Sequence, residues 1–365
     1  MNRFLPVCIL ICISFLLTAC GGSSSSLNSH NSELNIAATE VIDNTIIPAA
    51  TRFQQQVDQL ITDSQNFCIT ANTTEDNLTA LQNQWQQTNQ AWFELLPYRF
   101  GPMVNSELFP TYTFIDSYRL RGTDYIATVR TKIDSLLADN SEITAETFSS
   151  LSFKYVGLLA LEVSLFEDAA SQSLVKAGII NEYLANTRKC QLLTGFSTEL
   201  LRRADIIVQG WNTDYRDTGS NYRELLVNNQ LESFLDDETG EAAIEKITVS
   251  VQEFYDYLGL RDLTIDVSQL SGDIWQALNA SLNNTEELLA GTETTKISFN
   301  HIMKNNRFEQ TVALLQENFQ TLQTALDEEN TIDMKSTAKT IDGNFKREIP
   351  EALNINLGLN FSDGD

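Results

Sequence analysis

The sequence predicts an all-α protein: two helical bundles of the four-helix type, packed side by side. Three observations lead there. Apolar residues recur every three to four positions along most of the chain, the period of one helix face. Alternating β-branched segments, which would mark strands, are few. The polar, glycine-containing stretch WNTDYRDTGSNYR, Trp211 to Arg223, divides the helical pattern into halves with a similar number of long helices, and helices that each carry one apolar face pack as bundles.

The chain opens on MNRFLPVCILICISFLLTAC: one early positive charge at Arg3, an apolar run, then small residues before Cys20. A membrane-spanning helix takes about 20 apolar residues, so this run is too short. Its layout is that of a lipoprotein signal peptide over residues 1–19. Cys20 is then the acylated amino terminus, and the GGSSSS that follows begins a flexible tether over residues 20–34. More than one acyl chain anchors a protein stably. Gly21 is not the Asp that retains lipoproteins at an inner membrane. By analogy with that sorting, the expected location is the outer membrane of a Gram-negative bacterium, facing the periplasm or the cell surface.

The first bundle is assigned to residues 35–210. Its helices run over about residues 35–70, then Thr74 to Leu96, where Leu78, Leu81, Trp85, Trp92 and Leu96 form one stripe, Thr74 or Asp76 caps the start and Pro97 lies near the stop. Tyr125 to Leu137, Ala145 to Ala170 and Val175 to Gln209 follow, the last closed by Gly210 as a left-handed cap. The second bundle, residues 211–365, reads as helices at Tyr222 to Phe234, Glu241 to Leu258, Gln269 to Ala290, His301 to Glu328 and Ser336 to Lys346.

Forty-nine acidic residues against 24 basic ones, a net charge of −25, exclude a nucleic-acid partner, whose binding rests on cationic contacts to phosphate. Of five cysteines, Cys8 and Cys12 leave with the signal and Cys20 takes lipid. Cys68 and Cys190 remain, and leftover thiols in an oxidising compartment pair; two buried free thiols are the alternative. With Cys68 at the end of the first helix, the bridge would join the first and last long helices of one bundle.

Conventional catalytic motifs are absent from the mature chain: no HExxH, GxSxG, GxGxxG, phosphate loop or CxxC. Only two histidines exist, His30 in the tether and His301 at a helix start, whereas a zinc hydrolase normally draws two or three ligands from His. Asp236, Asp237 and Glu238 with Glu241 and Glu245 supply oxygen ligands that suit a hard cation. They lack the spacing of a calcium loop, and acids before a helix favour its N-terminal dipole.

One residue stands out. Glu162 lies in the apolar run of KYVGLLALEVSLFED, on the face of Leu158, Leu159, Leu165 and Phe166. A carboxylate there must be hydrogen-bonded, paired with Arg, or protonated. Arg99, which AWFELLPYRFGP places at a helix end with Trp92, Glu94 and Tyr98, is the expected partner, because a planar guanidinium meets a carboxylate with two bonds. A satisfied ion pair near a bundle end and a ligand site are both compatible with that pattern.

Four stretches carry a resemblance: the Trp85 and Trp92 helix leading into YRFGP at Tyr98 to Pro102, the G-x-x-x-x-E of Gly157 to Glu162, NTRKCQLL around Cys190, and LGLNFSDGD at Leu357 to Asp365. In that order the chain resembles the imelysin family, the M75 peptidase-like lipoproteins of periplasm and outer membrane. The resemblance implies two helical bundles, a role linked to iron or other metal uptake, and a peptidase label. The family signature is G-x-H-x-x-E. Gly157 and Glu162 match it, but Leu159 occupies the His position, and leucine cannot coordinate a metal. Glu162 is then the remnant of a ligand pair, and Gly157 also reads as a small residue allowing close helix approach.

The expected function is a non-catalytic binding lipoprotein that presents a cleft between its bundles to a metal complex, a polysaccharide or a partner protein. Gly157, Glu162, Trp92, Glu94 and Arg99 are its binding-site remnant. No catalytic residue and no resident cofactor are expected; for iron or zinc, Glu162 is the only candidate ligand. The membrane, through the lipid, and an unidentified ligand or transporter component are the expected partners. The alternative is a metallopeptidase of the M75 type using Glu162 in a degenerate site, against which stands the rarity of carboxylate-only zinc centres.

Overall fold

A computed structural model of the 365-residue chain describes residues 23–104, 109–117, 125–235, 241–261, 263 and 268–357. Nine α-helices are described up to residue 212: α1 (Ser23–Val41), α2 (Ile47–Phe67), α3 (Glu75–Leu95), α4 (Thr111–Ile115), α5 (Ile126–Ala138), α6 (Ala145–Ser149), α7 (Gly157–Phe166), α8 (Lys176–Ala185) and α9 (Thr187–Asn212). α2, α3, α7 and α9 pack on one another as the first bundle, with the shorter helices around them. Beyond lie α10 (Tyr222–Val227), α11 (Leu231–Phe234), α12 (Ala243–Leu260), α13 (Ile274–Ala290), α14 (Phe299–Asn305), α15 (Glu309–Asp327), α16 (Thr331–Lys346) and α17 (Glu348–Leu353). α12 packs on α16, α16 on α15 and α15 on α13, which makes the second bundle. The fold is all-α, as the periodicity requires; among the described residues the only β pairing is an isolated bridge between Asp168 and Ser173.

Several long predicted helices are in fact divided. The run from Ala145 to Ala170 breaks around Ser150 to Val156, because Gly157 takes φ +78°. The next breaks at Asn186, whose side chain accepts from Arg188 N at 3.0 Å and so starts α9 afresh. Asn229 (φ +53°) and Arg307 (φ +69°) end α10 and α14 in the left-handed region, splitting two helices of the second half. Gly210 is not a cap: α9 continues to Asn212, and a Cβ at 210 would come within 2.8 Å of the Pro102 ring.

The amino-terminal boundary also differs. α1 begins at Ser23, inside the segment read as tether, and His30 Nε2 donates to the Leu353 carbonyl at 3.0 Å. α1 and α2 form one rod through a π-helical turn at Ile42–Ile46. Pro48, at the start of α2, lacks the N–H that an unbroken α ladder would use, and the wider turn accommodates this. Leu34, Ala37, Ala38 and Val41 are buried, and α1 rests on α12, α10 and α14. Residues 35–41, assigned to the first bundle, therefore belong with the second. α3 and α13 form the main contact between the bundles, and the buried apolar side chains make one continuous core across both.

Cys68 and Cys190 are disulfide-bonded with Cα atoms 5.6 Å apart, tying the end of α2 to the first turn of α9. No helix among the described residues is long and apolar enough to cross a membrane. Cys20, Asp236 to Glu238 and residues 358–365 lie outside the described residues.

Candidate functional site

α7 is buried along its whole length. Such a helix must satisfy its terminal main-chain groups inside the protein. Gln82 Nε2 donates to Leu165 O at 2.7 Å and Tyr183 Oη to Ser164 O at 3.0 Å, while Trp85 Nε1 reaches Leu158 O at 3.1 Å. Gly157 starts the helix in a position only glycine fills: a Cβ would lie 2.4 Å from Ile115 O and 2.5 Å from Phe114 O.

Glu162 is fully buried in the middle of α7. Its Oε1 accepts from Ser271 N at 2.9 Å, Leu270 N at 3.2 Å and Ser271 Oγ at 2.8 Å. These donors precede α13, so the carboxylate of the first bundle is held by the second. The expected Arg99 partnership is corrected: Arg99 stands 4.0 Å from Glu253 of α12 and stacks over the Tyr112 ring at 5.6 Å.

Beside Glu162 the same junction holds a second buried carboxylate. Asp273 accepts from Asn89 Nδ2 at 3.0 Å and Gln90 Nε2 at 2.8 Å; Asn89 also donates to Ser268 Oγ at 3.1 Å. Burial pushes Asp273 up to about 6, opposed by the two amide hydrogen bonds and reinforced by the Glu162 charge. Sequence reasoning missed Asn89, Gln90, Ser268, Ser271 and Asp273. The available signal was QQTNQ, Gln86 to Gln90, a polar run on a helix whose buried face includes Asn89.

The remaining predicted residues do not converge on Glu162. Trp92 is a core residue, its Nε1 donating to Asp116 Oδ2 at 3.0 Å and its ring 5.2 Å from Phe53. Glu94 accepts from Arg52 Nε at 2.7 Å at the edge of a cavity of about 350 Å³ between α2, α3 and α13. Glu245 accepts from Ala242 N at 3.3 Å, which makes it a helix-start cap, and His301 contacts Asn305 within α14 at 3.0 Å.

The residues around Glu162 do not fit a transition-metal centre. Leu159 is buried and offers hydrocarbon where imidazole would stand, and Glu162 Oε1 already carries three donors. Among the described residues no group of three or more His, Cys, Asp and Glu is arranged to hold a metal ion.

The imelysin (Peptidase M75) family model matches residues 46–348. An imelysin-like protein from Psychrobacter arcticum 273-4 has a similar fold, with TM-score 0.67 and 19% identity over 90% of this chain and 98% of the other. A protein from Parabacteroides distasonis ATCC 8503, assigned as an iron-regulated protein A precursor, follows with TM-score 0.56 and 11% identity over 90% and 94%. No curated protein matches the sequence.

Proposed function

The chain belongs to the imelysin family, and from that premise we propose that it is a non-catalytic binding lipoprotein, anchored through Cys20 and serving iron or other metal uptake from the periplasmic face of an outer membrane. The observation that carries the non-catalytic part is Glu162. A carboxylate that is to hold a metal or move a proton needs a free oxygen in a site that substrate can reach. Glu162 is instead fully buried, with Oε1 fixed by the chain of the opposite bundle. The link to iron is supported by the iron-regulated assignment of the Parabacteroides distasonis relative. The anchor is supported by the signal-like segment ending at Cys20.

Elemental analysis of untagged protein purified without added metal tests the central claim. Iron and zinc are expected well below one per chain. Stoichiometric metal that disappears in Glu162→Gln would overturn it, as would chelator-sensitive cleavage of a denatured test protein that the same variant loses. For the anchor, Cys20→Ala is expected to move the protein from the membrane to the soluble fraction. For the role, deletion is expected to slow growth only under iron limitation.

A further inference from the structure

The cavity beside Glu94 is built from both bundles: Arg52 of α2 and Glu94 of α3 on one wall, Asn279, Asn283, Asn284 and Glu287 of α13 on the other. Its volume of about 350 Å³ falls at the lower end of the range for small-molecule sites. Ala280 is the single apolar side chain in the lining, so an apolar ligand has nothing to cover there.

Asn284 shows which polarity is missing. It is 3% exposed, and its Oδ1 accepts from the Tyr98 hydroxyl at 2.5 Å. Burial raises the Tyr98 hydroxyl well above its ordinary range, so it remains the donor. That bond sets the amide the right way round and leaves Asn284 Nδ2 buried without an acceptor. An unused donor calls for a ligand with an acceptor, and it argues against a bare cation. The acids argue against an anion: Arg52 Nε is engaged with Glu94 at 2.7 Å, and Glu287 adds a second carboxylate, which can only accept. The complementary ligand is uncharged and carries donors and acceptors together. Hydroxyl groups do both.

We propose that this cleft between α2, α3 and α13 binds a small polyhydroxylated molecule, a saccharide or polyol. The inference goes beyond the function proposed above and does not depend on Glu162.

Calorimetric or NMR titration of the full chain with glucose, N-acetylglucosamine and sorbitol tests it, with acetate, glycine and Ca²⁺ as contrasting probes. At least one polyhydroxylated probe is expected to bind saturably. Asn284→Leu is expected to abolish that binding. Asn283→Ala, on the exposed wall, is expected to weaken it by about tenfold, the factor for one hydrogen bond, with the melting temperature unchanged. These titrations are read without iron or zinc, and metal content and iron-limited growth are read without saccharide, so failure here is separable from failure of the uptake reading. The proposal is overturned if no polyhydroxylated probe binds at millimolar concentration, if only acetate, glycine or Ca²⁺ binds, or if Asn283→Ala binds like the parent.

Discussion

Glu162 shows how one side chain couples two bundles. Its Oε1 accepts from two main-chain N–H groups and a hydroxyl of the half-buried Leu270 and Ser271. Removing a charged acceptor costs about 1–3 kcal/mol for each donor left buried, and toward the lower end where, as at these half-buried donors, water can take its place. Glu162→Ala is therefore expected to lower stability in urea unfolding by about 3 kcal/mol, and Glu162→Gln, which keeps an acceptor oxygen, by clearly less. Equal effects of the two would mean that the hydrogen bonds carry little of the cost. Asp273 gives a pH signature. It holds its proton more tightly when folded, at about 6, than when unfolded, at about 3.9. Folding is thus favoured by protonation: the destabilisation is absent below about pH 4, grows as pH rises to about 6 and is complete above that. Against Asp273→Asn, which does not titrate, the parent is expected to lose up to about 3 kcal/mol across that window. A constant difference from pH 4 to 7.5 would contradict this. The sequence made Glu162 conspicuous because a lone carboxylate interrupted an apolar run. It concealed the partner because main-chain N–H groups have no residue signature and Leu270 is 108 positions away.

At the level of elements, α7 depends on how it starts. Gly157 combines a left-handed backbone with two carbonyls inside contact distance of any Cβ, so Gly157→Ala is expected to cost about 3 kcal/mol, seen as a lowered urea midpoint. The disulfide is the second restraint. Cys68 and Cys190 are 122 positions apart, and replacing both by Ser is expected to remove about 2–5 kcal/mol. Unfolding curves with and without reductant would differ by the same amount, and coincident curves would contradict the expectation. Most helices were legible from their 3.6-residue period, including α3, α5 and α12. The breaks were not, because Asn229 and Arg307 end their helices by taking positive φ, a choice that apolar spacing does not encode. Asn186 was readable as a cap in principle, since Asn is a preferred residue at that position.

Over the whole molecule, the two bundles were legible and their boundary was only half so. The polar stretch after Trp211 does end α9, but the rod of α1 and α2 passes from the second bundle into the first. A fragment of residues 211–357 would lack the strip that Leu34, Ala37, Ala38 and Val41 cover. It is expected to show no cooperative unfolding transition, whereas residues 23–357 should melt as one unit; a sharp transition in the short fragment would show that the second bundle stands alone. The rod also acts as a measuring stick. At about 1.5 Å per helical residue, Arg52 lies at most about 45 Å along it from Ser23. On the anchor proposed at Cys20, that length bounds how far along the rod the Arg52 wall of the cleft stands from the start of α1, the end that would carry the lipid.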